Sequence, residues 1–86
     1  MIQVEQKRGN WVSVQGLGYE GSAKIFSESS KFGISGGRVS KLSLRNENGE
    51  TVFNYDRGHD VNRIDSEDFN DIISRLESFA QNDLEI

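Results

Sequence analysis

The sequence predicts an α+β fold: a four-stranded antiparallel β-meander with one C-terminal amphipathic helix packed on one sheet face. Three observations predict it. Short segments of alternating apolar and polar residues run from about residue 10 to 56, glycine-containing turns separate them, and one segment of helical period closes the chain. At 86 residues the chain makes one domain, 1–86.

The first strand is expected over 10–16, where Val12 and Val14 alternate with polar residues after Trp11. The second runs over 19–27, with Tyr19, Gly21, Ala23 and Ile25 on one face. Gly16-Leu17-Gly18 between them supplies the positive φ values of a hairpin turn. The third strand, 38–45, sets Leu42 and Leu44 on one face and Val39 on the other. Asn46-Glu47-Asn48-Gly49 makes the next turn, and the fourth strand, 50–56, carries Phe53 and Tyr55 opposite Val52. Residues 2–7 are expected to add a short strand. The long connection 28–37 is rich in Ser and Gly, with Phe32 and Ile34 expected to anchor it.

The helix is expected over 66–81. Phe69, Ile72, Ile73, Leu76, Phe79 and Ala80 recur at steps of three and four and form one apolar stripe. Asp65 is the expected N-cap, Ile64 and Phe69 are spaced as a hydrophobic staple, and Glu67 and Asp68 suit the positive end of the helix dipole. The stripe needs a sheet face. The other face stays open unless a second chain covers it, and Trp11, Phe26, Phe53 and Tyr55 are candidates for that open face.

Composition excludes several chemistries. The absence of cysteine removes disulfides, thiolate metal sites and a cysteine nucleophile, and a single histidine removes a multi-histidine metal site. No apolar run has signal-peptide or membrane-spanning length, so a cytoplasmic location is expected. The net charge of −4 is uneven: residues 65–86 hold seven carboxylates against Arg75 alone, a balance of −6, and the rest of the chain balances at +2. General nucleic-acid binding is not expected, and the acidic helix suits a basic protein partner.

Gly16-Leu17-Gly18-Tyr19-Glu20-Gly21 matches a dinucleotide fingerprint, but a strand follows it where that motif needs a helix. Ser35-Gly36-Gly37-Arg38 has the makings of an anion-binding nest, with Arg57 as a second cation; the rival reading is a plain turn. The densest group of charged and aromatic residues is Asn54-Tyr55-Asp56-Arg57-Gly58-His59-Asp60. Asp60-Val61-Asn62 starts like a calcium loop but meets Ile64 at the next ligand position, and no serine sits in a nucleophile context beside His59. Neither a catalytic residue, a metal site nor a cofactor is expected. Asp56 and Arg57 are expected to stabilise the turn.

Several ordered motifs carry a family resemblance: Trp11-Val12, Ala23-Lys24-Ile25-Phe26, Phe32-Gly33-Ile34, Gly36-Gly37-Arg38-Val39-Ser40-Lys41-Leu42 and Asn54-Tyr55-Asp56-Arg57-Gly58. On these, over about residues 9–80, the chain resembles a family of small uncharacterised proteins of bacteriophages and Gram-positive bacteria. Position 59 of that family is usually tryptophan, so His59 departs from it. The resemblance implies a small phage accessory protein and no particular activity. The expected function is therefore non-enzymatic protein binding in the host cytoplasm, for example inhibition of a host defence system as by an anti-CRISPR protein. The expected contacts to a host or phage protein are Tyr55, Asp56, Arg57, His59, Asp60, Asp68, Asp71 and Glu77. The alternative is a homo-oligomer that sequesters a nucleotide or another anion at Gly36, Gly37, Arg38 and Arg57.

Overall fold

A computed structural model describes residues 1–56 and 58–85, with His59 and Asp60 described through their backbone alone. The expected placements of the Arg57, His59 and Asp60 side chains lie outside the described residues.

The sheet has six antiparallel strands in sequential order: β1 (Gln3–Arg8), β2 (Trp11–Gly16), β3 (Tyr19–Ile25), β4 (Val39–Arg45), β5 (Thr51–Asp56) and β6 (His59–Asn62). The helix α1 (Ser66–Asn82) follows. The meander and the closing helix match expectation, but the strand count is six rather than four. The segment at 2–7 does pair, through Val4 with Val14. The stretch after Gly58 turns back on β5 as β6, whose four residues are too few to show alternation in the sequence.

Tight turns set the registers. Gly16 pairs with Tyr19, leaving Leu17 (φ 57) and Gly18 (φ 85) as a two-residue loop in the left-handed region. In the β4–β5 turn, Asn46 Oδ1 accepts from the backbone N–H groups of Asn48 and Glu50, both at 3.0 Å.

Alternation then fixes the faces. Val12, Val14, Ala23, Ile25, Leu42, Leu44, Phe53 and Tyr55 form the covered face, against which Ile72, Leu76, Phe79 and Ala80 of α1 pack. Fully burying each of the larger side chains contributes about 1.5–3 kcal/mol. Phe53 meets Phe69 of the helix with ring centroids 4.7 Å apart. Phe53 and Tyr55 thus lie under the helix, not on the open face where they were candidates. Val39 is also corrected. The β3–β4 register shifts between Lys24 and Ile25, so that Ser40 is an extra residue on β4. This bulge brings Val39 into the core on the same side as Leu42, where strict alternation would have turned it out.

The helix begins where the sequence indicates. Asp65 Oδ1 accepts from the N–H groups of Glu67 at 2.9 Å and Asp68 at 3.2 Å. Past its end the chain is tied back to β1: Glu85 N–H donates to Gln6 Oε1 at 2.9 Å, and Gln6 Nε2 donates to the Glu85 carbonyl. The helix is not long and apolar enough to cross a membrane.

Candidate functional site

The open sheet face is built by cross-strand rows. One row reads Trp11, Lys24, Lys41, Asp56 and the next Ser13, Ser22, Ser43, Asn54. Small hydroxyl side chains thus floor the middle of the face, and larger groups stand at one end. There Trp11 is 40% exposed and Phe26 38% exposed, as expected of these two residues. Phe32, from the long connection, is 54% exposed. Lysines stand over all three rings: Lys24 Nζ is 6.0 Å from the Trp11 centroid and 5.7 Å from that of Phe26, and Lys31 Nζ is 5.2 Å from that of Phe32. Lys41 pairs with Asp56 at 3.6 Å.

A groove of about 420 Å³ opens beside these rings, lined by Lys24, Phe26, Glu28, Ser29, Ser30, Phe32, Ser40 and Lys41. The 28–37 connection forms one wall and is held at several points. Ser30 N–H donates to the Gly37 carbonyl at 3.0 Å, and Arg38 Nε donates to the Ser27 carbonyl at 3.0 Å. Of the two expected anchors only Ile34 is buried. The Phe32 ring points outward, and its backbone is the anchored part: the Tyr55 hydroxyl donates to the Phe32 carbonyl at 3.0 Å.

Among the described residues, the expected partner contacts are dispersed. Tyr55 is buried and spends its hydroxyl on Phe32. Asp56 is exposed at the end of the lysine row. Asp68 is half-buried and accepts from the Tyr19 hydroxyl at 3.0 Å. Burial, and then this bond to the Asp68 carboxylate, raises the Tyr19 phenol above its ordinary pKa. Asp71 is exposed on α1. Glu77 turns inward: Arg38 N–H donates to its Oε2 at 2.6 Å and Arg38 Nη1 to its Oε1 at 3.3 Å.

This last contact corrects the anion-nest expectation. The N–H groups of Gly36 and Gly37 donate to the carbonyls of Gly33 and Ile34, and that of Arg38 is taken by Glu77. The anion at this loop is the protein's own carboxylate. A Cβ on Gly37 would lie 2.4 Å from Glu77 Oε2, so the glycine is what lets the carboxylate in. Sequence reasoning missed Lys24, Lys31 and Lys41 as a group. Their signal was present in Lys24-Ile25-Phe26 and Lys31-Phe32, where a cation adjoins an aromatic at outward positions.

The family described as a domain of unknown function, DUF7678, matches residues 6–78. The chain belongs to that family. The matched span takes in β2 to β6, the second half of β1 and most of α1, and so contains most of the open face and the Glu77–Arg38 contact. The searches of curated proteins and of solved structures found no match.

Proposed function

We propose that this protein is a non-enzymatic binding domain that acts by protein–protein contact through its open sheet face. The observation that carries the reading is the grouping of Trp11, Phe26 and Phe32 at one end of that face, each ring exposed and each adjoined by a lysine. Single exposed apolar residues are ordinary on a protein surface, whereas grouped aromatics flanked by cations have the composition of an interface centre. The resemblance to small phage proteins supports a finer form of the proposal, an accessory protein that inhibits a host defence system in the host cytoplasm, as an anti-CRISPR protein does. Asp56, at the end of the same row, belongs to the contact surface, and Asp71 on the far side of the sheet provides a separate acidic one.

The test is capture of a host protein by the tagged domain from a susceptible-host lysate, compared with the Trp11→Ala and Asp71→Lys variants. A stoichiometric protein lost with Trp11→Ala and kept with Asp71→Lys supports the open face. Loss with Asp71→Lys alone moves the contact to the helix. A catalytic turnover of any captured partner by the domain would end the non-enzymatic reading.

The groove favours a second reading, an oligomeric protein that sequesters a nucleotide or another small anion. Its lining joins Lys24 and Lys41 to Phe26 and Phe32.

A further inference from the structure

We propose that the groove between Phe26 and Phe32 is a binding site for a free phosphorylated nucleoside, its planar ring stacked on the phenylalanines and its phosphate held by Lys24, with Lys41 exchanging its Asp56 partner for a phosphate oxygen. The inference rests on the second reading above and gives it a site and a ligand class. The groove, at about 420 Å³, is within the range of small-ligand sites. Aromatic faces accept a heteroaromatic ring, and lysine ammonium groups accept phosphate oxygens with charge-assisted hydrogen bonds. Ser29 and Ser30 line the same groove with hydroxyl groups suited to phosphate or ribose oxygens.

The site is held in place before any ligand arrives. Phe32 is fixed at both backbone groups, its carbonyl by Tyr55 at 3.0 Å and its N–H by Ser30 Oγ at 3.2 Å. Ser40 stands in the bulge with its Oγ donating to the Lys24 carbonyl at 3.2 Å. Such preorganisation lowers the ordering cost of binding.

Charge distinguishes a free nucleotide from a strand of nucleic acid. A strand needs a run of available cations along its backbone. Elsewhere on this face Lys7 is paired with Glu5 at 2.7 Å and Arg45 with Glu20 at 3.9 Å. Carboxylates therefore interrupt the cationic ground along the face, and at the groove itself Glu28 stands in the lining and Asp56 pairs with Lys41 at 3.6 Å, so the cationic ground there is too short for a strand.

Isothermal titration of the full chain with ADP, CDP, adenosine, inorganic pyrophosphate and a short oligothymidylate, all at one salt concentration, tests the proposal. ADP or CDP should bind at least about tenfold more tightly than adenosine or pyrophosphate. Lys24→Gln and Phe32→Ala should each weaken nucleotide binding about tenfold, and Gln81→Lys, at an exposed position of α1, should leave it unchanged. Phe32→Leu keeps apolar bulk without a π face and should also weaken it, which separates stacking from loss of the fold. Pyrophosphate binding as tightly as ADP would overturn the nucleotide assignment and leave the anion-sequestering reading standing. Tighter binding of the oligothymidylate would overturn the free nucleotide in favour of a strand. Absence of all binding would overturn the inference and the sequestering reading together.

Discussion

Glu77 carries the most tightly determined contact of any acidic residue on the helix. Its two oxygens accept from the backbone and the guanidinium of Arg38, and Gly37 leaves the space that admits them. Gly37→Ala should push the carboxylate out and destabilise the domain by about 1.5–3 kcal/mol, the scale of hydrogen bonds to a charged group. In a Glu77→Ala background the same substitution should cost less, because the clash with the carboxylate is then gone and only the close approach to the Ile34 carbonyl at 3.1 Å remains; urea unfolding of the double-mutant cycle measures the difference. A charge reversal at Glu77 would therefore act through folding, and Asp71 is the helix acid at which reversal reads surface contact alone. Tyr19 gives a pH prediction at the same scale. Its raised pKa means that the folded protein holds the phenol proton more tightly than the unfolded chain does. The associated stabilisation is complete below the ordinary value of 10.0 and is lost as pH rises through the folded value. Tyr19→Phe should cost about 1 kcal/mol at neutral pH through loss of the Asp68 bond, and should flatten the alkaline decline in stability. Thermal melts across that pH range check both.

At the scale of elements, the helix start and the β4 bulge do different work. The two orphan amides accepted by Asp65 define the first turn, so Asp65→Ala should lower stability by about 1 kcal/mol with the sheet unchanged, read from a chemical denaturation midpoint. The extra residue at Ser40 lets Val39 and Leu42 both face the core and sets Lys41 opposite Lys24 on the outside. Two lysines side by side repel, and the adjacent Asp56 and the aromatic faces offset that repulsion. A β-bulge is therefore what composes the cationic end of the open face.

For the whole molecule, the one helix and the one covered sheet face share a single small core. Leu76 is fully buried at its centre. Leu76→Ala should cost about 2–5 kcal/mol, a large part of the roughly 5–15 kcal/mol expected for a domain of any size, and should sharply lower the urea midpoint. Charge is also uneven between the two sides, although Glu5, Glu20 and Asp56 stand among the cations of the open face. Glu67 and Asp71 are exposed on the helix side, while Lys24, Lys31 and Lys41 stand by the aromatic rings on the other. The net charge of −4 thus describes neither side, and a basic and an acidic partner would meet different surfaces.

The sequence by itself determined the α+β class, the turns at Leu17-Gly18 and Asn46–Gly49, and the helix with its Asp65 cap. These rest on local period, turn chemistry and capping, all of which act over a few residues. Only the tertiary structure decided that Phe53 and Tyr55 lie beneath the helix, that Val39 turns inward, that a short sixth strand closes the sheet, and that Glu77 fills the loop expected to hold a foreign anion. Each of these depends on register between strands or on a contact between residues far apart in the chain. Alternation says which side chains share a face, but which face is covered is settled only by what packs on it.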